Sequence, residues 1–244
     1  SDSTFDGNAA ASSGGALSIE ASAGLRMFRT NGINNLVNGN GDGGFLYSKF
    51  SNPILLSDVS IESSSTNIQG GGGGIAVYSS IIALERVTVD KCRAGKHGGG
   101  GILLNDGAEA QLLDCRLLDN AAEFDGGHIH VSGSSLLVHQ KDIDVIWPIS
   151  EPIFPIEKTM ITRTGTLMKN GATTSFGGAI SCISSISPTV FGVFNSREKG
   201  LIACPSTLYE YSKYNLCISK DVVGWKDPKN YTCSEWQGEC SQEK

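Results

Sequence analysis

Read as a string of apolar and polar positions, the chain shows little helical period. Apolar residues come instead in short, β-branched-rich runs such as ERVTVD (85–90) and DVSIES (58–63), the pattern of half-buried strands. Glycine pairs introduce many of these runs: GGALSI at Gly14, GGFLYS at Gly43, GGIAVY at Gly73, GGILLN at Gly100, GGHIHV at Gly126 and GGAISC at Gly177. The first five pairs lie 29, 30, 27 and 26 residues apart, and the sixth follows after 51, close to two periods.

A second marker keeps step with the first: an apolar residue, two arbitrary ones, then a small or amide residue. Its copies are FRTN (28–31), IESS (61–64), VDKC (89–92), LLDN (117–120), LMKN (167–170) and VFNS (193–196). A period of 26 to 30 with short strands and glycine turns describes a β-solenoid, in which each coil buries its apolar face only by stacking on the next. With strands about 4.8 Å apart, six or seven coils would form a rod roughly 30 Å long. Asn, Ser and Cys at the second marker suit a turn whose side chains stack coil upon coil.

The paired GGAI and FxxN markers resemble the polymorphic outer membrane protein repeat. SFGGAI at 175–180 and FRTN at 28–31 match its two motifs literally, and the remaining copies are degenerate. Covering roughly residues 14 to 200, the resemblance implies an all-β, right-handed parallel β-helix in a family of surface or secreted adhesins. No membrane-anchoring barrel segment follows, so the family's autotransporter arrangement is not expected.

Aligning the strands on their glycine pairs puts Leu17, Leu46, Ala76, Leu103, Ile129 and Ile180 in one apolar, inward column. Their neighbours Phe45 and Tyr47, Ile75 and Val77, Ile102 and Leu104, and His128 and His130 then face outward. Three coils would present an apolar outer stripe, to be covered by another segment of the chain or by a partner or ligand. A one-residue error in the alignment would flip every side chain.

Residues 140–160, with Pro148, Pro152 and Pro155, form either a degenerate coil or a loop leaving the rod. After about residue 200 the composition changes, so the expected division is a β-helix domain over 1–200 and a smaller module over 201–244. This tail holds Cys204, Cys217, Cys233 and Cys240, with Trp225 and Trp236. It reads as a disulfide-stapled cap or as an aromatic recognition module. Seven cysteines and a glycosylation sequon at Asn230 point to an extracellular or cell-surface setting. The chain opens on Ser1 without a leader-like segment, as a mature product or a piece of a longer chain would.

A net charge of −6, without a cationic cluster, argues against a nucleic-acid partner. No run reaches the roughly 18 apolar residues of a membrane span. GNGDGG (39–44) matches a dinucleotide fingerprint by letter, but a strand-like run follows where a helix is needed. NGNGDG (38–43) sets oxygen side chains at alternate positions, as calcium loops do, though Lys49 replaces the terminal Glu. Otherwise no cofactor is expected.

His128 and His130, with Asp125 and conceivably His97, form a candidate metal group. Asp90, Asp114, Asp119, Arg93 and Arg116 lie near the second marker, yet the alignment gives no acidic pair stacked with a base as polysaccharide cleavage requires. Cys92 and Cys115 fall out of register with each other, which argues against a bond between them. The expected function is non-catalytic adhesion or binding of carbohydrate or a protein surface. Polysaccharide lyase or hydrolase activity, and a purely structural spacer, are the alternatives.

Overall fold

The computed structural model describes residues 2–138, with short strands at 167–169, 172–173, 180–183, 189–190, 193–194 and 202–203. Every regular element among them is a strand. The strands pair in parallel with the next coil, as in Leu46↔Ile75 and Ile102↔Ile129. Three stacked sheets result, of eleven, six and seven strands, here called faces A, B and C. Face A carries Leu25–Ile33 and Ile54–Glu62; face B carries pairs such as Leu36–Val37; face C carries Leu17–Glu20, Leu46–Lys49 and Ile75–Tyr78. The chain is an all-β parallel β-solenoid of about five turns, somewhat fewer than the six or seven expected.

One apolar core fills the tube, joining Met27 and Ile54 of face A to the face C column of Ile75, Ile102, Ile129 and Ile180. Burying each such side chain contributes about 1.5–3 kcal/mol, which no coil could obtain alone.

The glycine pair sits at the corner between faces B and C, and its two members are glycine for different reasons. The first, at Gly14, Gly43, Gly72, Gly99 and Gly126, has φ between 59° and 71°. A Cβ there would lie 2.1–2.2 Å from the carbonyl oxygen three residues on. The second, at Gly15, Gly44, Gly73 and Gly100, would drive a Cβ to within 2.1–2.4 Å of the next coil's glycine oxygen. Left-handed backbone alone does not demand glycine. At the A–B corner, Asn34, Ser63, Lys91 and Asp119 adopt φ of 51–55° with side chains in place.

Polar ladders satisfy the amides of the other corners. Beyond the A–B bend, Asn35 Oδ1 accepts the Asn8 amide and Asn120 Oδ1 the Cys92 amide, at 3.1 and 2.9 Å. At the C–A corner Ser51 Oγ accepts the Ser22 amide, Ser80 Oγ that of Ser51, and Ser134 Oγ that of Ala108. In each case a side chain of one coil closes a backbone amide of the coil before, so these buried amides are paired.

Two features of the repeat differ from the sequence reading. FRTN is not the second marker of its coil: Gly32 pairs with Ile61, which places Asn35, four residues beyond Asn31, in the column of Ser64. Gly32 occupies an apolar column because Phe45 fills its space, its ring only 2.4 Å from where a Cβ would sit. Nor is the 51-residue gap two periods. Ile129 pairs directly with Ile180, and Leu117 with Met168, so these strands belong to successive coils, and residues 140–160 lie outside the described residues.

Candidate functional site

The glycine runs misplace the inward column in two coils. Gly72–Gly73 and Gly99–Gly100 are the true pairs, and the third glycines, Gly74 and Gly101, take the position of Phe45 and His128. Ile75, Val77, Ile102 and Leu104 are therefore core residues, fully buried, and cannot form a partner surface. Phe45 is also internal, because the bend turns it and Leu46 inward in succession; its ring meets Phe5 edge-on at 5.9 Å. Ala76 and Leu103 exchange sides with these neighbours and point outward.

The outer column of face C is therefore Tyr47, Ala76, Leu103, His130 and Ser181, one residue per coil. Tyr47, Ala76 and Leu103 form a small apolar cluster of their own, with Tyr78 packed against it. The Tyr47 and Tyr78 rings lie 5.6 Å apart, tilted by 45°. Beside them the residue before each glycine pair makes a second column: Ser13, Asp42, Gly71, Gly98 and Asp125.

Asp42 organises this corner. Its Oδ1 accepts the Gly71 amide at 2.7 Å and lies 3.1 Å from His97 Nδ1, while Oδ2 accepts the Tyr78 hydroxyl at 2.5 Å. The lack of a Cβ at Gly71 makes the His97 approach possible, since one would stand 2.7 Å from His97 Cβ. Burial and the Asp42 carboxylate push the Tyr78 phenol well above its ordinary range. Tyr78 therefore stays a hydrogen-bond donor at any ordinary pH. Asp42 orients His97 so that the imidazole, about half exposed, turns its other edge outward. An aromatic pair, an anchored carboxylate and an oriented imidazole thus meet at one corner, where Tyr47 and Asp42 are buried, Tyr78 is half-buried and His97 is exposed.

His128 and His130 do not face one side. His128 is buried with Nδ1 3.0 Å from Asn120 Nδ2, whereas His130 belongs to the outer column. Among the described residues no group of three or more His, Cys, Asp or Glu side chains is arranged to hold a metal, Asp125 included. In the NGNGDG segment, Asp42 is engaged as above, and Asn40 Oδ1 lies 3.4 Å from Asn67 Nδ2. The strand Leu46–Lys49 follows the GNGDGG glycines, as the sequence indicates.

A stacked acidic pair does exist, contrary to the sequence alignment. Asp90 pairs with Glu62 of the neighbouring coil. Lys91 Nζ reaches both, at 3.1 Å from Asp90 Oδ2 and 3.2 Å from Glu62 Oε1. Glu62 and Asp90 are the second residues of their copies of the second marker, a position the marker itself leaves unspecified. Arg93 and Asp119 meet nearby only through the Asp119 carbonyl.

Cys92 and Cys115 are both buried and are not bonded to each other, as their register implies. Burial pushes both thiols up to about 12, which removes them as nucleophiles. Cys204, Cys217, Cys233, Cys240, Trp225, Trp236 and Asn230 lie outside the described residues. Comparison with known proteins returned no match to a family model, a curated protein or a solved structure.

Proposed function

We propose that this chain is a non-catalytic binding module of the polymorphic outer membrane protein type, displayed outside the cell or secreted as part of a larger chain. It would hold carbohydrate, or a partner surface of similar chemistry, at the B–C corner where Tyr78 and His97 reach the surface. The observation carrying this reading is the Tyr47–Tyr78 pair beside Asp42 and His97. Aromatic faces stack on the apolar faces of sugars, while carboxylate and imidazole groups meet hydroxyls. Coils repeating every ~4.8 Å present these groups on a rigid lattice suited to an extended ligand. The sequon at Asn230 and the tail cysteines support the extracellular setting.

A glycan array combined with a reducing-sugar assay on the same ligands tests this. Binding without turnover is expected, weakened tenfold or more by Tyr78→Ala while the thermal melt stays cooperative. Release of reducing ends would overturn the reading. It would favour the second one, a polysaccharide hydrolase or lyase, for which the stacked Glu62–Asp90 pair and Lys91 are the supporting observation. Retaining glycosidases use two carboxylates about 5 Å apart, and Glu62 and Asp90 are directly opposite on neighbouring strands. Glu62→Gln would then abolish turnover.

A further inference from the structure

His130 is buried like the rest of the outer column, at 6% exposed, but it is the one titratable imidazole there, and its Nδ1 has no hydrogen-bond partner among the described residues. The corner of the preceding coil approaches it closely. A Cβ on Gly98 would lie 3.2 Å from His130 Cγ and 2.5 Å from the Asp125 carbonyl oxygen, so only glycine lets these pieces meet. Along the stack its neighbours are Leu103 and Ser181, neither of which carries a charge. The ionisable groups acting on it are Asp125, from its own coil's corner, and His97, from the corner before. His97 is in turn held on Asp42.

We propose that His130 is an acid-sensitive catch for the B–C corner of its coil. Neutral, it packs beneath the Gly98 corner. Protonated, it leaves that position for water and the Asp125 carboxylate, and the 98–102 and 126–131 segments open together. The physical reason is that an imidazolium has two donors to satisfy, and the Nδ1 side is buried with no acceptor in reach among the described residues. Burial already holds the His130 ring below the ordinary histidine range, with Asp125 opposing and His97 reinforcing that effect. The sign follows. A histidine depressed by folding contributes stability that is complete above the unfolded value of about 6.5 and is lost as pH falls through the folded one.

Hydrogen exchange on the full chain, corrected for intrinsic rates and followed from pH 7.5 to 4.5, tests the proposal. Protection at the Gly99, Gly100 and Ile102 amides, which bond to Asp125, Gly126 and His128, should fall by up to about tenfold per pH unit as pH drops from about 6.5 toward the lower His130 value, and level off below it. Protection at Ile82 and Leu112 on face A should stay level. In wild type, the His130 ring resonances should titrate at the pH where that loss levels off, a readout that needs no variant. His130→Phe should hold corner protection constant across the range, and His97→Gln should leave the loss in place. Corner protection that ignores pH, that falls equally in His130→Phe, or that disappears with His97→Gln would overturn it.

Discussion

The B–C and A–B corners turn the chain through similar left-handed residues, yet they are built from opposite materials. At the B–C corner the backbone of the same strand and of the next coil crowds each glycine so closely that no side chain fits. At the A–B corner the left-handed residues Asn34, Ser63, Lys91 and Asp119 project outward, and the residue following each enters the ladder of Asn35, Ser64, Cys92 and Asn120. The lesson is that positive φ by itself costs little enough for many residues to bear it, about 1 kcal/mol. Close backbone approach, not handedness, is what writes GG into the sequence.

The sharpest way to break this comparison is Gly73→Ala. Its Cβ would stand 2.4 Å from the Gly100 oxygen and 2.5 Å from the Arg93 oxygen, so two coils must separate. We expect a loss of about 3 kcal/mol or more in denaturant unfolding, or no folded product. Gly107→Ala is the control: it shares a positive φ of 78° but meets nothing within 4 Å. It should lose about 1 kcal/mol, and equal losses at both sites would sink the close-approach account.

Next in size is Phe45→Ala, which empties the space between the corners and should cost about 3–5 kcal/mol. Gly32→Val alone should also destabilise, because its side chain meets the Phe45 ring. Combined with Phe45→Gly, however, it reproduces the Gly74–Ile61 arrangement of the next coil. A double-mutant cycle should therefore show coupling of about 1–3 kcal/mol in the favourable direction; simple additivity would mean that the two positions do not share one volume.

At the side-chain corner, Asn120→Ala removes the acceptor of the Cys92 amide and the donor to the Val89 carbonyl at once. About 2–3 kcal/mol is expected, since a buried amide is left unpaired. Asn120→Asp keeps the acceptor and should recover part of the loss at neutral pH. Thermal melts of both variants would show whether the ladder or mere packing holds this corner.

The smallest effect is electrostatic. A third left-handed column runs down face A as Asp2, Arg29, Asp58, Arg86 and Asp114, alternating in charge from coil to coil. Asp2 bonds Arg29 at 2.7 Å and Asp58 bonds Arg86 at 2.6 Å. The Arg86 hydrogen bond holds the Asp58 carboxyl below its ordinary value. Its contribution is thus present above about pH 4 and disappears as pH falls through the lower folded value. Asp58→Asn should flatten that acid limb by a fraction of a kcal/mol, as exposed pairs do. An unchanged limb would assign it to other carboxylates.

Much of the fold was legible because glycine and the strand alternation report local geometry. The period, the all-β class and the stacking of Ser64, Cys92 and Asn120 follow from residue types that have few other uses. The site was less legible. In GGGGG and GGGG runs any adjacent pair satisfies the motif, and a shift of one residue exchanged Ile75 with Ala76 and Ile102 with Leu103 between core and surface. FRTN misled for a related reason. It matches the marker by letter, while the true copy carries Gly32 where an apolar residue is expected, and only Phe45, thirteen residues away in sequence, explains that glycine.

What the sequence determined by itself is a repeating coil with glycine at one corner, since each coil meets the same local steric problem every 26 to 30 residues. Tertiary structure alone decided the rest. It chose which glycines pair across coils, set Gly32 against Phe45, and closed the 51-residue gap by pairing Ile129 with Ile180. It also brought Asp42, Tyr78 and His97 together from three successive coils. Those contacts join residues 36 and 55 positions apart, and no local pattern encodes which coil a side chain will meet. Register between coils is fixed by packing the common core, and the composition of the outer face follows from that register.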